Sequence, residues 1–510
     1  MKNKHFARIL VLLLSLALLM GSAIGCGSGK GSEGEAKEWL NIAGEDIVTF
    51  NPFMAVNGAD IMFMMHIIGE PLLLCTEDFQ YEPLLAESYD LSTDGTEYTF
   101  HLRSGVTFHD GSAFDSEDVK YSIESASKGS TAGELSYYIE SIETPDPLTA
   151  VVKLNAPLSS FLVTLYTFVP MMPSGIFESG YDFEAHPIGT GPYEFVSYTP
   201  GDTMILKAYD KYYIEGIPAI PNLKYRVIID KTTAFVALET GDLDYYAIQP
   251  TDITLAEKNK DLNIDNYPTY ASIMAWMDNS VAPFDDINVR LALNYAVDRN
   301  ALAQVKGASG YTGATTYTTP CCYGFNKDIA GYPYNKDLAK EYLAKSSYSP
   351  DQISFTITTE DTYTTEAQFL QESFRDIGVE NVIIETLEPG TFQAGIMTKE
   401  FPFGVVSVGL GISASASSIM FTTGAPINMM NYSNSAVDEA YATAAVTPDE
   451  AERLAAFHTI DENLNADAPF LPLLWVNNVI CSRKTVDMSA AMKYASVTSE
   501  ILPQFVKASN

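Results

Sequence analysis

The sequence predicts an α/β fold with mixed sheets, and three observations support this class. Short runs with the alternating pattern of half-buried strands recur at 98–102, 150–154, 193–198, 204–208, 223–229, 353–358 and 382–386. Helical patterns lie among them, at 116–127, 232–240, 288–297, 336–344, 365–377 and 448–464. The elements do not show the strict alternation of an all-parallel sheet, and no repeat of fixed period is visible.

Length and charge exclude several classes of protein. The chain has 510 residues, which suits about three domains or two large lobes. Its 46% hydrophobic and 12% aromatic content is too high for a disordered chain. The net charge of −35 argues against binding to nucleic acid and against docking on anionic lipid through a basic patch.

The N-terminus has the features of an export signal. Lys2, Lys4 and Arg8 precede a 12-residue apolar run at 9–20, which is too short to span a bilayer. The small residues that follow end at Gly25 and Cys26, which resembles a bacterial lipobox. This resemblance implies cleavage after a 1–25 signal peptide and a lipid on Cys26; the alternative is a plain secretory signal. The lipid would then be the only membrane anchor.

The mature chain is predicted to begin with a tether. Residues 26–37 are rich in Gly and Ser and suit a flexible link between the lipid and a folded body that starts near Trp39. Because the signal peptide carries three positive charges and no acid, its removal changes the net charge from −35 to −38.

Motifs of catalysis and metal binding are not found in the sequence. There is no H-E-x-x-H zinc motif, no G-x-S-x-G nucleophile elbow and no phosphate-binding G-x-x-x-x-G-K-[ST] loop. The G-x-G-x-x-A match at 409–414 is not followed by the acid of a dinucleotide site, since 401–437 carries no charge. We therefore predict a protein without catalytic activity, metal or cofactor.

Cysteine content leaves the redox state open. Besides Cys26, the thiols are Cys75, Cys321, Cys322 and Cys481. Adjacent cysteines pair only through a strained ring, so free buried thiols are expected, and a bridge between Cys75 and Cys481 is the alternative.

Four groups of segments occur in an order that identifies a family. They are 83–88 with 94–111 and 117–119; 187–193 with 209–213; 282–293 with 295–299; and 431–438. They read PLLAES, DGTEYTFHLRSGVTFHDG and EDV; PIGTGPY and YDKYY; APFDDINVRLAL and YAVDR; and NYSNSAVD. Together they resemble the family 5 extracellular solute-binding proteins, the oligopeptide-, dipeptide- and nickel-binding lipoproteins of ABC importers. The resemblance runs from about Trp39 to the C-terminus.

The resemblance implies a two-lobed periplasmic-binding-protein fold of type II, cluster C, with an extra inserted domain and a hinge. Lobe I would comprise 37–55, 186–270 and 475–510, the inserted domain 56–185, and lobe III 271–474. The lobes would close over a peptide-like solute and deliver it to the permease and ATPase of an ABC importer. Most signature residues have scaffold roles; Arg290, for example, is expected to pair with Asp286 at i−4.

The ligand loop departs from the peptide-binding relatives. In those relatives an aspartate of the far lobe pairs with the ammonium of the peptide. The matching stretch 407–418 has Gly409, Leu410, Ser413 and Ser415 but no acid. Burying an ammonium without a carboxylate is costly. Either the carboxylate comes from elsewhere, or the ligand is neutral, N-blocked or less charged.

Other candidate ligand contacts rest on residue type and position. Trp276, Tyr317 and Trp475 are candidate aromatic walls, with a role in the core as the alternative. Asn51, Phe53 and Met54 lie where relatives meet the ligand backbone.

Two further functions remain open at this stage. The same scaffold can serve a sensor or hydrolase, or an importer of a neutral non-peptide solute. Gene neighbours that encode a permease and an ATPase would favour the importer.

Overall fold

The structure, a computed structural model, describes residues 37–55, 57–77, 79–129, 132–409, 411–498 and 500–509. The predicted signal peptide, Cys26 and the tether up to residue 36 lie outside the described residues, as does Leu410. Among the helices that are described, none is long and apolar enough to cross a membrane.

Strands and helices alternate irregularly along the chain. The strands are β1 (Trp39–Gly44), β2 (Leu73–Cys75), β3 (Tyr81–Pro83), β4 (Ala86–Leu91), β5 (Glu97–Leu102), β6 (Ile139–Asp146), β7 (Thr149–Leu154), β8 (Tyr193–Thr199), β9 (Thr203–Ala208), β10 (Asn222–Val227), β11 (Tyr245–Ile248), β12 (Leu262–Met277), β13 (Tyr311–Gly313), β14 (Ser354–Glu360), β15 (Asn381–Leu387), β16 (Phe403–Gly409), β17 (Phe470–Arg483), β18 (Val486–Asp487) and β19 (Lys507–Ala508).

The α-helices are short and lie between the strands. They span Gly58–His66, Ser116–Ala126, Leu135–Tyr138, Phe161–Phe168, Lys231–Thr240, Ile253–Ala256, Ile287–Tyr295, Arg299–Lys306, Lys336–Lys345, Thr364–Arg375, Pro389–Met397, Ser418–Phe421, Ser435–Val446, Glu450–Asp467 and Ser489–Thr498. The α/β class with mixed sheets is thus confirmed, since β1 pairs with β10 in parallel and β9 pairs with β10 antiparallel.

Two four-stranded sheets belong to the first half of the chain. One has the order β1-β10-β9-β8, and the other has the order β4-β5-β7-β6. A single buried cluster joins them, with Phe63, Phe100, Phe161 and Tyr225 among its largest side chains. The strands β5 and β7 alternate between buried and half-buried positions, which is the pattern that the sequence predicted for 98–102 and 150–154.

The third large sheet depends on two unusually long strands. β12 and β17 pair with each other antiparallel over most of their length. β11 lies beside the second half of β17, whereas β16, β14 and β15 continue the sheet beyond the second half of β12. Separate buried clusters, one with Phe284, Phe374 and Phe403 and one with Trp276 and Phe421, pack around the strands β12, β16 and β17. We call the region around the β1-β10-β9-β8 and β4-β5-β7-β6 sheets the first part, and the region around β14, β15, β16 and the clusters of Phe284 and Trp276 the second part. β12 and β17 run continuously from one part to the other.

Helix starts agree with the capping residues visible in the sequence. Asp115 caps the helix Ser116–Ala126 as predicted, with its carboxylate accepting from the Glu117 amide. The helix predicted at 448–464 begins at Glu450 because Asp449 is its N-cap.

The predicted pair of Asp286 and Arg290 is wrong. Asp286 is occupied as an N-cap and accepts from the amide of Asn288. The guanidinium of Arg290 donates to the carbonyl oxygens of Phe284 and Asp467, at 2.8 Å each. A buried arginine has five donors to satisfy, and backbone carbonyls meet that need here.

Candidate ligand-binding site

The two long strands change register in their middle. Pro268 of β12 lies opposite Asn477 of β17, but Ser272 lies opposite Trp475. Residues 269–271 of β12 therefore face a single residue of β17, Val476. Such a bulge bends the strand and increases its local twist. The residues before it on β12 pack in the clusters of the first part, and those after it pack in the clusters of the second part.

Tyr270 lies in this bulge, at the meeting point of distant segments. Burial raises the pKa of its phenol, and Cys321, Cys322, Tyr166 and Cys75 are near enough to raise it further. Tyr166 is itself buried, and its hydroxyl has no hydrogen-bond partner among the described residues. A buried hydroxyl without a partner is unusual in a folded protein and is suited to a ligand or a bound water.

The loop after β16 is fixed to another segment of the same part. The amide of Tyr323 donates to the carbonyl of Ile412, at 2.8 Å, and the amide of Ala414 donates to the carbonyl of Tyr323, at 2.9 Å. The thiol of Cys322 donates to the carbonyl of Gly411. Two strand-like hydrogen bonds and a thiol thus hold Gly411–Ala414 in place beside the bulge.

A hairpin from the first part meets this loop. β2 and β3 are joined by a turn in which the Thr76 amide donates to the Gln80 carbonyl. Phe79 in this turn has a φ of 58°, which is uncommon outside glycine, and its ring packs edge-on against Tyr323 with centroids 5.4 Å apart. Ile412 packs against a buried cluster of the first part made of Leu74, Cys75, Leu84, Tyr166, Tyr494 and Leu502. The two parts are therefore in direct contact across the bulge.

One cavity lies at this contact, and a second lies within the first part. One, of about 250 Å³, lies between the β2–β3 turn with β4 and β5 on one side and Tyr323, Ile412 and Ser413 on the other. The other, of about 480 Å³, lies within the first part between β1, β11 and the bulge ends of β12 and β17. Both are lined by aromatic side chains together with a few charged groups, which is the composition of many small-molecule sites.

The larger cavity contains a carboxyl group in an unusual state. Burial raises the pKa of Glu500 to about 7, and the nearby Glu45 raises it in the same direction. Two carboxylates close together cannot both ionise without cost. Glu500 therefore holds its proton more tightly than an ordinary carboxyl group.

The predicted loop residues lie at the contact between the two parts. Ser413 lines the smaller cavity, and its hydroxyl accepts from the Ser415 amide and lies 2.9 Å from the Ser415 hydroxyl. Gly409 ends β16 opposite Ala271 of the bulge. Leu410 lies outside the described residues.

The predicted aromatic walls fall in two different environments. Trp475 lies at the bulge, where its indole donates to the Thr316 carbonyl. Trp276 is 1% exposed and donates to the Phe401 carbonyl, which favours the role in the core. Tyr317 is buried as well, but its hydroxyl has no partner among the residues described.

The three candidate residues after β1 also differ in their surroundings. Asn51 accepts from the Phe53 amide and caps a short 3₁₀ helix. Phe53 packs in the core against Phe177, whereas Met54 is 55% exposed. None of the three lines either of the two cavities.

The thiols are not paired. Cys75, Cys321, Cys322 and Cys481 are free and buried, as expected from the sequence, and the alternative bridge between Cys75 and Cys481 is not formed. The Thr319 hydroxyl lies 3.3 Å from the sulfurs of both Cys321 and Cys322.

Sequence reasoning missed Tyr270, Phe79, Tyr323 and Arg453. Tyr270 owes its position to a bulge that pairing over a long distance creates, and Phe79 meets Tyr323 only through tertiary packing. Arg453, however, carried a signal, because it is the only Lys or Arg between Glu400 and Ser482. A lone cation in so long a segment is a candidate for a specific role.

Comparison with known proteins agrees with this architecture. Residues 80–429 match the model for the middle region of the bacterial extracellular solute-binding proteins, family 5. The glutathione-binding protein GsiB of Pectobacterium atrosepticum is 31% identical over 460 residues, which cover 86% of this chain and 88% of that protein. The chain belongs to the family 5 extracellular solute-binding proteins.

Solved structures show the same fold. The ABC transporter substrate-binding protein CtaP of Listeria monocytogenes superposes with a TM-score of 0.82 at 24% identity, covering 93% of this chain and all of that one. The protein DppA of Helicobacter pylori, solved with the peptide STSA, gives 0.70 at 24% identity over 93% and 99% of the two chains. The expected two-lobed fold is confirmed. As a family 5 protein, the chain is the solute-capturing component of an ABC importer, and its relatives are binding proteins rather than enzymes.

Proposed function

We propose that this family 5 protein captures a peptide-like solute outside the cytoplasm, catalyses no reaction, and delivers the solute to the permease and ATPase subunits of an ABC importer. The observation that carries the proposal is the contact at Ile412. A loop of one part packs there against a cluster of the other part, and the same contact lines a cavity of about 250 Å³.

The bulge between β12 and β17 suits a hinge. Both strands are continuous through it, so the two parts stay connected while 269–271 and Val476 absorb changes in backbone angle. The boundaries that we propose fall there: lobe I at 37–55, 186–270 and 475–510, with lobe III at 271–474. The inserted domain at 56–185 would contain the β4–β7 sheet.

A peptide-like solute is favoured by the relatives. GsiB is named for glutathione, a tripeptide, and DppA was solved with a tetrapeptide. The two cavities add aromatic walls with few charges, which suits a short peptide better than a highly charged ion. We propose that Gly409, Leu410, Ser413, Ser415 and Trp475 contribute to the site.

The anchor is proposed from the sequence alone. A lipid on Cys26 would hold the protein at the outer face of the cell membrane, with 26–37 as a tether. Metabolic labelling with a radioactive fatty acid tests this, because Cys26→Ser should abolish labelling and release the protein from the membrane. Labelling that persists in Cys26→Ser contradicts the anchor.

Binding of defined peptides tests the function. We would titrate the soluble chain from residue 27 onward with di- to hexapeptides, each free, N-acetylated or C-amidated, and follow the heat of binding. Saturable binding of one molecule per chain supports the proposal. Binding of sugars or metal complexes, with no peptide bound at millimolar concentration, contradicts it.

A further inference from the structure

The 250 Å³ cavity beside Ile412 carries an unusual set of polar groups. Four tyrosines line it: Tyr81, Tyr89 and Tyr98 from the first part, and Tyr323 from the second. Glu450 and Arg453 also line it, from the start of the helix Glu450–Asp467. The wall therefore combines aromatic rings with aliphatic and neutral polar side chains, and it contains one acid and one base.

The two charges are one helical turn apart but are not paired with each other. Residues at i and i+3 on a helix are neighbours and commonly form ion pairs. Here no ion pair joins Glu450 and Arg453 in the part of the chain that the structure describes. Both charges are thus available to a third group that lies between or above them.

Arg453 is held in position by its surroundings. Its Nε donates to the Tyr323 hydroxyl and its Nη1 donates to the Thr447 carbonyl, at 3.1 Å each. The guanidinium also lies over the Tyr323 ring, with its central carbon 5.7 Å from the centroid. Nη2 has no hydrogen-bond partner among the residues that the structure describes, and a guanidinium nitrogen fixed in this way is preorganised for a carboxylate.

Hydroxyl groups of the opposite wall are also unused. The hydroxyls of Tyr81, Tyr89 and Tyr98 make no hydrogen bond to any of the described residues. The pKa of Tyr81 is raised by burial and by the nearness of Tyr89, Tyr98 and Tyr323, so these rings converge on one space. Each phenol can donate one hydrogen bond and accept others.

We propose that this cavity binds an α-amino acid head group of the solute, with the α-carboxylate on Arg453 and the α-ammonium on Glu450. The proposal rests on the function proposed above and names the chemistry of one end of the ligand. In a free head group the ammonium and the carboxylate are attached to the same carbon atom. Glu450 and Arg453 present the two opposite charges one helical turn apart, which matches this arrangement. The tyrosine hydroxyls would satisfy the remaining carboxylate oxygen positions, and the rings would cover the carbon chain.

Simpler ligand ends fit the same cavity less well. A lone carboxylate would meet repulsion from Glu450, and a neutral group would leave both charges desolvated without compensation. An ordinary peptide separates its ammonium and carboxylate by the length of its chain. Glu450 would also supply the carboxylate that the stretch 407–418 lacks, which favours the alternative in which the ammonium partner comes from elsewhere.

Two isomeric tripeptides test the head group directly. γ-Glu-Cys-Gly has a free α-amino acid head, whereas α-Glu-Cys-Gly has the same atoms but its first α-carboxylate is in a peptide bond. Both would be S-methylated, so that neither forms a disulfide with the four free thiols of the protein. Calorimetry should show that the γ-isomer binds about tenfold more tightly or better, as expected for one charge-assisted pair.

Two substitutions and one control complete the test. Glu450→Gln and Arg453→Met should each weaken binding of the γ-isomer by about tenfold and change the α-isomer by less than about threefold. Glu462→Gln, on an exposed position of the same helix, should change neither. Equal affinities for the isomers, no binding of either isomer, or full affinity in both variants would overturn the head-group proposal. The peptide panel decides the proposed function separately, because it can show binding of other peptides in each of those cases.

Discussion

The hydroxyl of Thr269 donates a hydrogen bond to the carbonyl oxygen of Val476, at 2.8 Å, inside the bulge between β12 and β17. The same hydroxyl accepts from the Ala271 amide, at 3.2 Å. One side chain therefore compensates for ladder hydrogen bonds that the register shift removes. A local bond of this kind can be replaced when backbone angles change, whereas an uninterrupted ladder would resist bending.

Removing this hydroxyl should loosen the bulge. Thr269→Val keeps the shape of the side chain but loses both hydrogen bonds, so the free energy of unfolding should fall by about 1–2 kcal/mol. Thr269→Ser keeps the hydroxyl and should lose less than about half as much. Urea unfolding followed by fluorescence measures both. An equal loss in the two variants would show that packing of the methyl group, and not the hydroxyl, supports the bulge.

Stability should fall as the pH rises through neutrality. Glu70 accepts hydrogen bonds from the hydroxyls of Tyr212 and Tyr213, and burial raises its pKa from 4.5 to about 8. Between these values the unfolded chain releases a proton that the folded chain retains. The contribution of Glu70 is therefore complete below about pH 4.5 and is lost as the pH rises through 8. Asp461 and Glu500, each with a pKa of about 7, act in the same direction.

Measurements between about pH 6.5 and 8.5 exclude the opposing contribution of His66 and leave those of Glu70, Asp461 and Glu500. Burial lowers the pKa of His66 to about 3, so its opposite contribution grows from pH 3 to 6.5 and is constant above that. Glu70→Gln removes the titrating group and should flatten the decline in unfolding free energy over this range. If the decline is as steep in Glu70→Gln as in the natural chain, Glu70 does not retain its proton in the folded state.

The contact at Ile412 should matter for solute binding. Ile412 is half-buried between the two parts, whereas Ile419, in the short helix Ser418–Phe421 that follows the loop, is 45% exposed. Ile412→Ala removes apolar area from the contact between the two parts and should raise the Kd of the natural solute about three- to thirtyfold. Ile419→Ala should leave the Kd within about twofold. Equal Kd values for the two variants would place the solute away from this loop.

The thiols provide a test of the redox state. All four described cysteines are buried and free, so a thiol reagent should not react with the folded protein in minutes. In urea it should modify four thiols per chain when Cys26 has been removed. Intact mass under non-reducing conditions should show no loss of hydrogen. Only two reactive thiols in urea would indicate a bridge, with Cys75 and Cys481 as the first pair to examine.

Local elements were predictable from the sequence because local patterns determine them. The run at 150–154 became β7, Thr149–Leu154, and the helix after Asp230 ends at Gly241 in the left-handed conformation, as a glycine C-cap requires. β12 and β17 were not predictable in the same way. Pro268 and Pro472 interrupt their patterns, and only pairing between residues about 200 positions apart makes them strands.

The candidate site was only partly visible in the sequence. The absence of acid in 407–418 drew attention to the loop, and the structure brings Ser413 to a cavity. The partners of that loop could not be deduced, because Phe79 and Arg453 reach it through tertiary packing alone. Trp276 was proposed as a ligand contact but packs in the core. A sequence alone does not distinguish a tryptophan that covers a ligand from one that fills a core.

The most direct test of the account is the identity of the solute that the natural protein carries. The chain would be purified from its host without unfolding, weighed intact by native mass spectrometry, and then denatured so that the released molecule can be sequenced by tandem mass spectrometry. We predict one peptide-like molecule per chain, bearing a free α-amino acid head group. A sugar, a metal complex or another solute without a peptide bond, recovered at the same stoichiometry, would contradict the account.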